Sequence, residues 1–276
     1  MEISVTDSSR HRGIADILVK IVDKRQERLE VARNRETLTE PPREAKFQTP
    51  INNGFLAGLA AQRGRAVIAE IKMGSPSLGS LHGTFDPVEQ AKAYARGGAA
   101  AMSVVVEPDF FHGSYELLRD CVEASGLPAI AKDFVVDPLQ LRWALRAGAK
   151  AVLLIAALYP AEELFQYAQL ARRMGLVPLI ETHDADDVAK LAGNSWELVG
   201  VNNRDLRRFT TSLETSKGLF ASLPAESFKV AESGIHSGAD LAELSGAGFD
   251  AFLIGESLVK SGDPVAKLAE LRGMVQ

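Results

Sequence analysis

An α/β fold, built as a single (β/α)8 TIM barrel with extra N-terminal helices, is what this sequence predicts, on three observations. Eight short apolar segments recur along the chain. Amphipathic stretches of helix length separate them, without a long polar linker. Most of the apolar segments end in a charged or amide residue: Glu70 and Lys72, Glu107, Lys132, Glu181, Asn202 and Glu232. A parallel sheet closed on itself requires this alternation, because each crossover helix has to cover one outer face of the sheet. Such barrels carry their chemistry at the carboxyl ends of the strands. A charged residue ending an otherwise apolar strand therefore reads as catalytic before it reads as structural.

A chain of 276 residues fits one barrel of about 250 residues plus an amino-terminal addition. The division expected is a helical extension packed on the barrel over residues 1–65 and the barrel itself over 66–276. Within the extension Ile14, Ile17, Leu18, Ile21, Val22 and Leu29 follow a helical period. Pro41 and Pro42 break it, and a short apolar run follows from Phe55 to Ala60. These read as helices packed outside the barrel, the first with an apolar face also suited to close one mouth. The charges from Asp23 to Arg35 are mixed in sign and read as a solvated face, not a partner surface.

The first strand segment is Ala66 to Lys72. Side chains alternate faces, so Glu70 and Lys72 share a side about 7 Å apart, and that side is the lumen. A surface ion pair is a poor alternative, since the other face of a barrel strand is covered by helices. Gly74-Ser75-Pro76-Ser77 follows, a loop of small residues through which Ser75 can meet a ligand's anionic group. The second segment runs from Ala99 to Glu107, and the helical stretch Tyr115 to Ala124 behind it holds Cys121 as a small buried apolar residue.

Lys132 ends the third segment, Pro128 to Lys132. The fourth is Lys150 to Ala157. Glu181 ends the fifth, Leu176 to Glu181, so a lysine and a carboxylate face each other across the mouth, as a general acid and a general base would. Burial lowers the lysine's pKa and raises the carboxylate's, while their attraction opposes both shifts; the sequence leaves the winner open. The sixth, Glu197 to Asn202, brings an amide, with Arg204 nearby to hold a carboxylate; Asn202-Asn203 is equally a turn former. The seventh and eighth, Phe228 to Ser233 and Asp250 to Gly255, lead into Ser233-Gly234-Ile235 and Gly255-Glu256-Ser257. Barrels frequently bind phosphate with these two loops and a short helix amino terminus; simple turn glycines are the plainer reading.

A net charge of -5 argues against nucleic acid as a partner, because that affinity rests on a basic surface. The longest apolar runs, such as Ala151 to Leu158, are about eight residues, far short of a membrane span. The polar, mixed-charge start at Met1 to Gly13 carries no export signal. The single cysteine suits a reducing cytoplasm. His11, His82, His112, His183 and His236 form no cluster at metal-ligand spacing, so no metal site is expected; His183 precedes an Asp184 that reads as a helix cap. Trp143 and Trp196 read as packing residues. The expected state is a monomer or a weak homo-oligomer.

Taken together, Ile68-Ala69-Glu70-Ile71-Lys72 with Ser75-Pro76-Ser77, Phe110-Phe111-His112-Gly113-Ser114, Lys132-Asp133-Phe134, Glu181-Thr182-His183-Asp184, Val201-Asn202-Asn203-Arg204-Asp205-Leu206 and Glu232-Ser233-Gly234-Ile235 resemble the indole-3-glycerol phosphate synthase family. The likeness covers about residues 14 to 270, in matching order. It implies ring closure of a carboxyphenylamino deoxyribulose phosphate with loss of carbon dioxide and water, in tryptophan biosynthesis, with no metal or organic cofactor. It implies Lys132 as general acid on the ketone, Glu181 as base for the dehydration, and Lys72 on the substrate carboxylate. Glu70, Asn202 and Glu232 match supporting residues. Ser75, Ser233, Gly234 and Gly255 match phosphate and substrate contacts, with Glu256 beside them, and Phe111 and Leu153 match apolar contacts to the aromatic ring.

Three positions depart from the family pattern. Met73 and Leu78 stand where basic residues are usual, and Val106 replaces a usual threonine. Loss of positive charge near the first loop would bear on substrate preference more than on reaction type. A specialised relative acting on a substituted anthranilate-derived substrate in a secondary pathway is therefore one alternative. A noncatalytic barrel that binds a phosphorylated metabolite is another, although phosphate binding alone has no use for Glu70, Lys72, Lys132, Glu181 and Asn202. A sister barrel, such as a phosphoribosyl isomerase or a tryptophan synthase α subunit, fits the Lys132-Asp133-Phe134 run poorly.

Overall fold

The computed structural model describes residues 15–35, 53–76 and 79–273. Eight parallel strands close into a barrel: β1 (Ala66–Ile71), β2 (Ala101–Val105), β3 (Ala129–Lys132), β4 (Ala151–Ile155), β5 (Val177–Thr182), β6 (Leu198–Asn202), β7 (Phe228–Glu232) and β8 (Ala251–Ile254). Each lies beside its neighbour in sequence, and β1 pairs with both β2 and β8 to close the ring. All eight fall within a residue or two of the expected segments. They are buried on both faces, which is why they read as continuous Ala, Val, Ile and Leu runs.

Alternation along each strand creates two cores. Outward residues such as Val67, Val104, Leu154 and Ile180 pack against Tyr94, Leu118, Leu141, Tyr167 and Leu244 of the surrounding helices. Inward residues, Ile68, Ile130, Leu153, Leu179, Val230 and Leu253 among them, fill the lumen. Glu70, Lys132, Glu181, Asn202 and Glu232 have the inward parity of their strands and stand above that apolar plug.

The covering helices start on strong signals. Asp86, Asp137 and Asp263 cap α3 (Pro87–Arg96), α5 (Pro138–Arg146) and α11 (Pro264–Leu271), each followed by proline at the first helical position. Ser114 and Ser237 cap α4 (Tyr115–Ser125) and α9 (Gly238–Gly246), and Asp184 caps the short α7 (Ala185–Ala189). Each such cap is worth about 1 kcal/mol. The ring of helices is completed by α6 (Ala161–Arg173), α8 (Glu214–Leu219) and α10 (Glu256–Lys260).

Of the two described helices ahead of the barrel, the first lies at a mouth, as its apolar face suggested, while the second is not packed outside the barrel as expected. Phe55 and Leu59 of α2 (Phe55–Ala60) are fully buried in the lumen cluster, and the Asn53 amide donates to the carbonyls of Lys150 and Gly175. This helix plugs the amino-terminal end of the barrel. At the opposite end, α1 (Asp16–Arg35) packs Val22 and Leu29 against Val136 and Leu139. Its Ile17, Leu18 and Ile21 line the cavity at the carboxyl ends of the strands. The apolar period that identified the helix thus serves a mouth rather than an outer wall. Ile14, His11, Pro41, Pro42 and Leu78 lie outside the described residues.

Cys121 is buried in α4. Trp196 is buried and donates its indole N–H to the Leu191 carbonyl at 2.8 Å, and Trp143 packs edge-on against Tyr115. All three are packing residues. Among the described residues no helix is long and apolar enough to cross a membrane.

Candidate active site

A cavity of about 1120 Å³, counting its open mouth, lies at the carboxyl ends of the strands. Glu70, Lys72, Ser75, Phe111, Lys132, Leu153, Glu181, Asn202, Arg204, Ser233, Gly234, Gly255 and Glu256 all line it. Glu232, also singled out from sequence, does not; it is fully buried behind Lys132.

The floor is a network of charges. Lys132 Nζ lies 3.1 Å from Glu232 Oε2, 3.3 Å from Glu70 Oε2 and 3.8 Å from Glu181 Oε2. Lys72 Nζ lies 3.1 Å from Glu70 Oε1, so one carboxylate bridges both lysines. Register explains the convergence. Glu70 sits opposite Ser103, Glu181 opposite Gly200, and Asn202 opposite Glu232, placing inward side chains of successive strands at similar heights. Two glycines make room: a Cβ on Gly200 would stand 2.2 Å from Glu232 Oε1, and one on Gly255 would stand 2.8 Å from Glu70 Oε1.

Burial disfavours the charge on Lys132, but the three carboxylates more than reverse it and hold the ammonium well above the ordinary lysine range. Burial pushes Glu70 up, and the two lysines bring it below its usual value. The neighbouring acids part. Burial raises Glu181, but His183 and Lys132 together pull it well down, whereas burial and the charge of Glu181 leave Glu232 raised despite Lys132. Attraction therefore wins for the Lys132–Glu181 pair, the question that sequence left open. A cation beside a carboxylate acceptor is suited to acid–base work.

One wall is apolar. Phe111 and Phe134 rings lie 5.7 Å apart, and Leu153, Ile155, Ile17, Leu18 and Ile21 continue the surface, wide enough for a flat aromatic group. The far side is polar. Ser233 and Gly234 both adopt left-handed backbone, φ 67° and 77°, a costly conformation for serine that turns the chain after β7 into the loop. Asn203 braces it by donating to the Ser233 carbonyl, and Ser257 donates to the Ile235 carbonyl, tying the last two loops together. Glu256, at the start of α10, pairs with Lys260 at 2.6 Å and with Arg204 at 3.4 Å. Ser75 lies in a two-residue antiparallel hairpin, Gly74–Ser75 against Gly79–Ser80.

Three sequence expectations change. Glu107 is not on the rim: it is fully buried, and its carboxylate accepts the backbone N–H groups of Asp109, Phe110 and Phe111, fixing the loop that carries Phe111. Met73 and Val106 are buried in the outer core, away from the cavity, so neither change bears on charge at the mouth. His183, set aside with the other histidines, lies with Nε2 3.2 Å from Glu181 Oε1. Its place two residues after Glu181 was the available signal. The cavity also takes in Phe134, Leu206, Phe209 and His236, on loops whose course sequence does not fix. Among the described residues no group of His, Cys, Asp and Glu could hold a metal ion.

A family model described as indole-3-glycerol phosphate synthase matches residues 18–271. Curated relatives with that name include one from Desulfotalea psychrophila, 40% identical over 258 residues that make up 94% of this chain and 99% of that protein. Another, from Rhodopirellula baltica, is 43% identical over 214 residues, 78% of this chain and 83% of that one. Among solved structures, a tryptophan synthase alpha-subunit variant from Pyrococcus furiosus shares the fold at TM-score 0.59 and 13% identity, covering 76% of this chain and 98% of that one. A thiamine phosphate pyrophosphorylase from the same organism does so at TM-score 0.55 and 15% identity, covering 78% of this chain and 96% of that one.

Proposed function

This chain belongs to the indole-3-glycerol phosphate synthase family, and from that premise we propose how its residues carry the reaction. The enzyme is a carboxy-lyase of tryptophan biosynthesis that closes 1-(2-carboxyphenylamino)-1-deoxyribulose 5-phosphate into indole-3-glycerol phosphate. The observation that carries the residue assignment is Lys132, held as an ammonium among Glu70, Glu181 and Glu232 at the floor of a cavity with one apolar and one polar wall.

The aromatic ring packs against Phe111 and Leu153, with α1 as a further wall. The phosphate sits on the loops after β7 and β8, among Ser233, Gly234 and Gly255, with Ser75 at the near rim. This folds the flexible sugar chain so that its ketone lies over the ring carbon bearing the carboxylate, near-attack geometry that removes much of the entropic barrier. Lys72 pairs with that carboxylate, and Arg204 lies within the same cavity.

Lys132 donates its proton to the ketone oxygen as the ring carbon attacks. Its firmly held proton suits an alkoxide, which is itself strongly basic. Carbon dioxide then leaves, and the electrons of the broken bond restore the aromatic ring. In the dehydration Glu181 takes the proton from the carbon beside the nitrogen while the new hydroxyl leaves as water on a proton from Lys72. Glu70 keeps both lysines charged and placed, Glu232 does so for Lys132, and Asn202, whose Oδ1 accepts the Arg204 N–H, shapes the sixth strand end beside them. A positioned proton donor is worth typically about 10² to 10⁴ in rate, and fixed charges in a largely buried floor add to it.

No described feature favours a substituted substrate, since Met73 and Val106 lie in the outer core. We assign residues 1–65 as an amino-terminal extension, of which α2 fills the base of the barrel and α1 borders its mouth, and 66–276 as the barrel domain, in a cytoplasmic monomer or weak homo-oligomer. Incubating the purified protein with the carboxyphenylamino deoxyribulose phosphate should give indole fluorescence at a steady rate. Tight binding without product would overturn the assignment in favour of a metabolite-binding barrel.

A further inference from the structure

Glu181 is held from behind by a side chain that the assigned mechanism does not use. The β5 strand ends at Thr182, and His183, two residues beyond Glu181, turns back so that its ring lies against that carboxylate. His183 Nε2 is 3.2 Å from Glu181 Oε1, and Nδ1 is 3.5 Å from Asp187 Oδ2. All three side chains are largely sealed from solvent, at 14%, 3% and 5% exposed.

Asp187 is itself fixed. Its Oδ2 accepts the backbone N–H of His183 at 3.1 Å, its Oδ1 accepts from Lys190 Nζ at 3.0 Å, and Lys190 also donates to the Ala156 carbonyl at 2.8 Å. The helix that presents Asp187 begins at Asp184, whose side chain accepts the Asp187 N–H. The imidazole is thus wedged between a carboxylate anchored in α7 and the carboxylate at the cavity floor. The contacts are close but oblique: neither ring nitrogen makes an aligned hydrogen bond, and Glu181 Oε2 has none. Charge rather than a shared hydrogen bond is what passes between them. It leaves Oε2, which faces Lys132, open to accept a proton.

We propose that His183 is a positioning residue: wedged between Glu181 and Asp187, it holds one oxygen of Glu181 and keeps the other as an ionised acceptor facing Lys132 and the substrate. Glu181 then has a cation on each side, Lys132 in front and His183 behind. The groups facing the imidazole are Glu181 from β5 and Asp187 from α7. Lys190 stands behind Asp187, and Lys132 and Glu232 stand beyond Glu181. Burial disfavours a charged imidazole, but the two carboxylates override it and raise His183 to about 10. An ordinary histidine would be neutral at pH 8. The arrangement resembles a general base with an orienting partner behind it, except that here the partner stays charged throughout.

The inference rests on Glu181 as the base, and the experiment separates the two. First, ¹⁵N-histidine NMR of the unliganded wild-type protein should show His183 as an imidazolium at pH 8, and Glu181→Gln should return it toward neutral. A neutral imidazole at pH 7 in the wild type overturns the inference without reference to activity. Second, His183→Gln fills the site without the charge. In that variant the acidic limb of the kcat profile should move up by about one unit, so that at a fixed pH on the falling limb kcat drops about tenfold below the wild-type value, while KM changes less than threefold. Asp187→Asn should move the limb in the same direction by less. A limb unmoved in a folded His183→Gln protein overturns the inference, whatever happens to the plateau. A wild-type protein with the imidazolium but no synthase activity would instead sink the assigned reaction.

Discussion

Arg25, on the helix that precedes the barrel, holds Asp133, the residue that follows Lys132 in the chain. Its guanidinium donates from Nε at 3.0 Å and from Nη2 at 2.5 Å, and both partners are buried. Asp133 also accepts from the Tyr115 hydroxyl at 2.7 Å and from the Gln140 amide at 2.9 Å. The face of α1 that lines the cavity is therefore tied to the strand end that presents Lys132. Arg28 to Asp109 and Arg33 to Asp137 repeat the bond further along the helix.

Arg25→Leu should cost about 3 kcal/mol or more, because it strands a buried carboxylate. It should also raise KM more than it lowers kcat, since Ile17, Leu18 and Ile21 lose their seat at the cavity. Thermal melting and steady-state kinetics check this. An unchanged melting temperature would refute the clamp.

The same bond sets a pH dependence. Burial pushes Asp133 up, but Arg25 with Gln140 and Tyr115 brings it below its ordinary value. An acid whose folded pKa lies below its unfolded value of about 3.9 contributes stability above that pH, and the contribution is lost as the pH falls through the folded value. The difference in melting temperature between wild type and Asp133→Asn should therefore be widest above about pH 4 and close below it. A difference constant from pH 7 to pH 3 would contradict this.

Lys132→Ala should lower kcat by about 10³-fold or more, with a smaller change in KM, because it removes the proton donor and leaves the acids Glu70, Glu181 and Glu232 facing one another without their shared cation. Full turnover in the variant would remove Lys132 from its assigned role.

Gly200→Ala removes no charge, yet its Cβ would stand 2.2 Å from Glu232 Oε1. The carboxylate must move, and Lys132 with it. A kcat reduced by about 10²-fold with the protein still folded is expected, the effect of roughly an ångström of misplacement. Retention of wild-type kcat would show that Glu232 need not be held in place.

The barrel and the contents of its floor were legible because both depend on local facts. Alternation along one strand decides that Glu70 and Lys72 share the lumen, and apolar runs ending in charge mark the strand ends. What escaped depends on contacts between distant segments. Glu107 ends an apolar run as Lys132 does, yet it folds back to cap its own loop. Arg25 reads as one charge on a mixed helix face, and only its distance to Asp133, 108 residues on, reveals a buried bond. Phe55 and Leu59 show an apolar helix without saying that it fills the barrel's base. The apolar face of the first N-terminal helix pointed to a mouth, but the second had no barrel repeat to place it, so sequence could not say that it fills the other end.

Closure of the ring has a consequence for synthesis on the ribosome. The first strand completes its pairing only with the last, Ala66 opposite Ala251, so a nascent chain has no finished cylinder until nearly all of it has emerged. Until then Lys132 is exposed without Glu232, and α1 has been made long before the residues it must clasp. An interrupted translation product would hold half of the charge network facing water. Release of the carboxyl-terminal segment should coincide with both the cooperative gain of protease resistance and the first appearance of ligand binding.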